Sequence, residues 1–277
     1  MIVIKEFPKK EFANKEEMFT HLRENKKSLI SQKKMITKQA DTVSLNVVPK
    51  NEKGETIKAE LTSLQDINTL KMELVINTTN VMDSHSDVHL KGIWNKSVKE
   101  KKDLYLLQEH RMKFDSIITD NVKASVKELK WSELGAGYNG KTEALTFSVE
   151  VDKNRNPFMF EQYVKGYVKN HSVGMRYVKI ELALNSESKW HIEEKEVWDK
   201  YISEIANKEQ AEQQGYFWAV TEAKIIEGSA VPIGSNTITP VLNIESKEAV
   251  SNTSTEIEPS IDTQKEIEKQ IKNFKLN

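Results

Sequence analysis

What most constrains this chain is short-range alternation of apolar and polar residues. "LKMELVINTT" and "VGMRYVKIELAL" each alternate over most of their length. Successive side chains of an extended strand point to opposite faces, so such runs need a sheet with a buried side and cannot be satisfied by a helical bundle. Strands are predicted at 70–78, 104–107, 143–151, 172–184 and 216–226. Between them, 117–129 and 158–169 have helical spacing, with Phe160, Tyr163, Val164, Tyr167 and Val168 on one face. The charged stretch 190–213 reads as another helix, ending near Gly215.

The compact unit is expected at 67–243, with a charged helical insert at about 186–215. Residues 1–66 are expected to be an N-terminal helical arm and linker. Asn14 followed by Glu17 suits a helix start, and Met18, Leu22, Leu29 and Ile36 recur at near-heptad spacing, predicting a helix over 15–38. The stretch 40–66, with Pro49 and "NEKGE", reads as a linker or surface excursion. Residues 244–277 read as a flexible tail closed by a short amphipathic helix through Ile267, Ile271 and Phe274. An apolar content of 38% is low for a fully compact chain, as long charged helices and a tail would make it.

Composition removes several function classes. With no cysteine, disulfides, thiolate zinc sites and cysteine nucleophiles are excluded. A net charge of -1 argues against binding nucleic acid through overall charge. The longest uncharged stretch, "GSAVPIGSNTITPVLNI", is broken by Gly and Pro, and "MIVIKEFPKKEF" lacks the form of a secretory leader. A soluble protein in a reducing setting is expected, with no membrane partner.

"NHSVGMRY" places His171 and Ser172 where an aromatic-rich segment gives way to an alternating one. A serine held there could be a nucleophile if a base removes its proton. His171 is badly placed for that, because strand neighbours face opposite ways. His110, which ends the apolar run "LYLLQEH", is the stronger candidate among six histidines. Glu227 follows an apolar strand and could orient such a histidine. The plain alternatives are a loop histidine and a solvated strand-end carboxylate. His85, Asp87 and His89 in "HSDVH" also alternate, and a metal hydrolase using them is the first competing possibility.

Taken together, "SHSDVHLKGIW", "LLQEH", "NHSVGMRY" and "IEGSAVPIGSNTITPV" resemble, in the same order, motifs of the prohead maturation proteases of tailed bacteriophages. The resemblance spans about 70–243. It implies an α+β, mainly β fold: a β-barrel surrounded by helices, like the herpesvirus assembly protease. It implies a serine endopeptidase with Ser172 as nucleophile, His110 as general base and Glu227 as third member. The herpesvirus relatives use a second histidine there, for which His191 is the candidate. Gly174 or a nearby amide could donate to the oxyanion, and Arg176 could assist directly or through a water. No cofactor or metal is expected. The implied substrates are scaffold protein, major capsid protein and the chain itself, the implied state a homo-oligomer, and the implied place the assembling procapsid in the host cytoplasm. Two departures stand out: the insert between the serine and glutamate strands, and the N-terminal arm, which reads as a scaffold-binding element or a segment removed on maturation. A non-catalytic capsid-assembly protein on the same fold is the second competing possibility.

Overall fold

The chain begins with a hairpin, β1 (Ile2–Ile4) and β2 (Phe7–Phe12), which leads into α1 (Lys15–Glu24) and α2 (Lys26–Met35). The computed structural model describes residues 1–35, 67–232 and, for the backbone alone, 241–248. The end of the first predicted helix, the 40–66 linker and the terminal segment with Ile267, Ile271 and Phe274 lie outside the described residues. Asn14 caps α1 as expected: its Oδ1 accepts from the Glu17 amide at 2.9 Å, while the Glu17 carboxylate accepts from the Ala13 amide at 2.8 Å. The single predicted helix is in fact two, broken at Asn25, whose amide bonds back to the His21 and Arg23 carbonyls as the α1 cap.

The remaining elements are β3 (Ile67–Thr78), β4 (Asp87–His89), α3 (Asn95–Glu100), β5 (Leu106–Gln108), β6 (Ile117–Thr119), β7 (Val122–Lys130), β8 (Lys141–Asp152), α4 (Pro157–Val164), β9 (Asn170–Leu184), α5 (Ile192–Tyr201), α6 (Lys208–Gln214), β10 (Tyr216–Val231) and β11 (Val241–Glu248). Strand outweighs helix, so the fold is α+β and mainly β. One sheet is centred on β10, which pairs antiparallel with β9 along its whole length and parallel with both β4 and β5; β6 lies outside β5. A second sheet has the order β11-β3-β8-β7. Among the described residues no closed barrel forms. No helix among them is long and apolar enough to cross a membrane.

The main core collects the inward positions of both sheets: Leu70, Met72, Leu74 and Ile76 from β3, Phe147 and Val149 from β8, and Val173, Met175 and Tyr177 from β9. The alternation in β9 changes phase after Tyr177, and buried positions resume at Ile180, Leu182 and Leu184. The ladder carries a bulge there: Tyr177 faces Ala223 and Lys179 faces Glu222, which leaves Val178 without a partner.

Four expectations need correction. The helix predicted over 117–129 is instead β6 and β7, because Val122, Ala124 and Val126 meet the core at period two while β7 ladders onto β8. The helix predicted over 158–169 stops at Val164, followed by a turn in which Gly166 has φ 67. The helix predicted at 190–213 is α5 and α6, separated by a short 3-10 turn, and Gly215 closes α6 with φ 84. The tail predicted from 244 is β-structured at its start, since β11 runs to Glu248 beside β3.

The N-terminal segment is not an appendage. Met1–Lys247 is one compact unit, and Phe12, Met18, Phe19 and Leu22 are almost fully buried in its main core. Polar bolts reinforce this. Glu6 accepts from Tyr216 Oη and Trp218 Nε1, each at 2.7 Å. Lys33 Nζ reaches the buried Asp87 Oδ1 at 2.6 Å, and Asp87 Oδ2 accepts from Tyr177 Oη at 2.9 Å. The insert is seated on the same segment: its buried Glu194 pairs with Lys26 and lies 3.7 Å from Arg23 Nε.

Candidate functional site

β5 delivers His110 through a strained turn. Glu109 and His110 have φ of 52 and 57, a left-handed conformation costly for residues with a side chain. β10 holds this turn in place: the Glu109 amide donates to the Ala230 carbonyl at 2.9 Å and the His110 amide to Ser229 Oγ at 3.1 Å. Backbone strain maintained by surrounding bonds is a feature of functional sites.

Glu227 and Ser229 are two apart on β10, so they share a face. His110 Nδ1 lies 2.7 Å from Glu227 Oε1, and Ser229 Oγ donates to Glu227 Oε2 at 2.5 Å. The carboxylate, 3% exposed, is thereby held at both oxygens. An ionised carboxylate only accepts, so it fixes the hydrogen of a neutral His110 ring on Nδ1. Nε2 is left with its lone pair, buried and without a hydrogen-bond partner.

Ser172 sits directly across the ladder from Ser229, and Gly174 from Glu227. Facing residues of an antiparallel pair project to one side, with Cβ atoms about 5 Å apart. Ser172 is thus one side chain away from the His110–Glu227 pair and is 6% exposed. It makes no hydrogen bond with His110. β5 and β10 thus bring His110 and Glu227 into contact, and β9 sets Ser172 on the neighbouring rung of the ladder.

The other predicted positions fall differently. Gly174 was expected near the oxyanion, but its geometry is explained by space: a Cβ there would lie 1.9 Å from Glu227 Oε1 and 2.7 Å from Glu227 Cδ. Only glycine lets the carboxylate cross β9. Arg176 continues the same face of β9 and is exposed, opposite Lys224. His171 points away into the core, its Nε2 2.9 Å from Tyr163 Oη with the rings stacked. His191 is seated between Ser186, whose Oγ is 2.9 Å from its Nδ1, and the Phe19 ring, so its contacts are with the insert and the N-terminal helix. The histidine alternative for the third member therefore has no geometry behind it, and the carboxylate does.

The metal possibility fares no better. His89 is engaged by Asn77 at 3.2 Å and Tyr177 at 2.9 Å, and Asp87 by Lys33 and Tyr177. Among the described residues no group of three or more His, Cys, Asp or Glu side chains could hold a metal ion.

Two residues escaped the sequence reading. Ser229 was legible in principle, because a hydroxyl two positions after a strand glutamate shares its face. Lys101, just past α3, left no such signal. It donates to the Ile226 carbonyl at 2.7 Å beside Glu227. Burial lowers its ammonium below the ordinary lysine value, opposed only in part by Glu227 and Asp103. Comparison with protein-family models, with curated proteins and with solved structures finds no match to this chain.

Proposed function

We propose that the protein is a serine endopeptidase of the prohead-maturation type. The observation that carries this reading is the buried Glu227–His110 couple, which leaves Nε2 without a hydrogen-bond partner beside the ladder rung that carries Ser172. In the proposed reaction, His110 Nε2 takes the Ser172 hydroxyl proton as Oγ bonds to the scissile carbonyl carbon. Collapse of the tetrahedral intermediate breaks the C–N bond, and the imidazolium gives its proton to the leaving amine. Water, deprotonated by the same nitrogen, then releases the acyl group from Oγ. Glu227 stabilises the imidazolium while Ser229 stops the carboxylate from rotating. The two sheets would be the framework of a herpesvirus-protease-like architecture. Scaffold protein, capsid protein and the chain itself would be the substrates, inside the assembling procapsid.

A non-catalytic assembly protein on the same fold is the second reading, and the missing Ser172–His110 hydrogen bond favours it. Intact-mass measurement separates the two. Wild type incubated alone and with co-assembled capsid proteins should generate fragments that Ser172→Ala does not. Identical fragment patterns from both proteins would refute the peptidase.

A further inference from the structure

The face of the ladder that carries Ser172 and Glu227 continues into a cleft of about 480 Å³, lined by Ser97, Glu100, Lys101, Arg176, Lys224 and the Ile225–Ile226 edge. Three cations and one anion meet there. Lys101 bonds only to a backbone carbonyl, and neither Arg176 nor Lys224 has an ion-pair partner among the described residues. This is unlike the neighbouring surface, where Glu222 takes both Lys96 at 3.3 Å and Lys179 at 3.1 Å. Like charges repel one another, and an excess of cations grouped in a cleft raises the local potential for an anion. Arg176 is four residues from Ser172 along β9, about 13 Å at strand rise, a span an extended peptide covers with about four residues.

We infer that this cleft is a specificity subsite for an acidic side chain of the peptide substrate, with Lys101, Arg176 and Lys224 receiving a carboxylate within about four residues of the cleaved bond. The inference rests on the endopeptidase reading. The half-buried Ile226 supplies an apolar wall along which the stem of a glutamate can lie, and the partly buried Lys101 ammonium gives the deepest charge. Glu100 at the rim disfavours a second acidic residue.

The test is cleavage of a peptide library made from a bacterial proteome, read by mass spectrometry, with Ser172→Ala as the blank. Bonds cut by wild type should be enriched in Glu or Asp within about four residues. For a glutamate peptide against its glutamine twin, Lys224→Glu should raise KM about fivefold with kcat little changed, whereas Lys224→Arg should behave as wild type. Raising salt from about 0.05 to about 0.5 M should shrink the preference. Ser172-dependent cleavage without acidic enrichment overturns the subsite and leaves the peptidase standing. Enrichment that survives Lys224→Glu overturns its assignment to this cleft. No Ser172-dependent cleavage at all overturns both.

Discussion

Gly174→Ala is the sharpest perturbation the site offers, because it adds one methyl group and removes no functional atom. The new Cβ would stand 1.9 Å from Glu227 Oε1, so the oxygen must retreat by about 1 Å or more to reach ordinary contact. Glu227 has little freedom to do so. Its Oε1 is 2.7 Å from His110 Nδ1 and its Oε2 accepts from Ser229 at 2.5 Å. A shift of that size takes the imidazole bond beyond hydrogen-bonding range and leaves a buried carboxylate with one partner. A hydrogen bond to a charged group contributes about 1.5–3 kcal/mol, so urea unfolding should show a loss of about 2 kcal/mol. Misplacing a catalytic group by about 1 Å costs on the order of 100-fold in turnover. The His110 Nδ1 proton, observed by NMR at low temperature, should lose its strongly hydrogen-bonded downfield position. A Gly174→Ala protein with wild-type turnover and that resonance intact would refute the claim that glycine is there to let Glu227 pass.

Ser229→Ala should lower activity by about tenfold and stability by about 2 kcal/mol, since it strips Glu227 Oε2 and the His110 amide of a shared partner; an unchanged urea midpoint would contradict this. Lys33→Met should cost about 3 kcal/mol by removing the ammonium that pairs with the buried Asp87, and adding Asp87→Asn should recover part of that loss in the same measurement. Stability should be insensitive to Lys33, Tyr163, Tyr177 and Tyr216 near neutral pH and fall once pH exceeds about 10. Burial works to lower Lys33, but Asp87 and Glu6 outweigh it and hold the ammonium above its usual value, while burial foremost raises all three phenols. A group whose pKa is raised by folding contributes fully below its unfolded value and loses that contribution as pH climbs. Thermal unfolding that stays flat from neutral pH to beyond pH 10 would count against the buried placement of these groups.

The long strands β3, β8 and β9 were legible because burial on one face writes a period of two into the sequence, and β10, buried on both faces at its start, was legible as an apolar run. β6 and β7 were misread because Ile117, Ile118 and Val122 also satisfy a helical count, and only the ladder to β8 decides between the two. The N-terminal helices look solvated by composition. Their burial depends on partners such as Glu194 and Tyr216, far along the chain, and local pattern carries no trace of such pairings. The same holds within the site. Ser172 and His110 stand near strand ends that attract attention and Glu227 follows an apolar run, although β10 continues past it to Val231, whereas the need for glycine at 174 follows from a side chain crossing over from another strand.

The strands also impose an order of events on a chain that is still being made. His110 and Glu227 are separated by 117 positions, and Glu6 waits for a tryptophan 212 residues later. A ribosome that has released everything through β9 has already produced Ser172 and His110, the nucleophile and base of the proposed peptidase. It has made neither the carboxylate that orients the base nor the strand that pins its turn. Under the proposed function, the emerging polypeptide would therefore be chemically silent toward itself and toward neighbouring nascent chains. The His110–Glu227 pair forms only when β10 slots between β9 on one side and β4 and β5 on the other, and Glu6 is locked in by the same step.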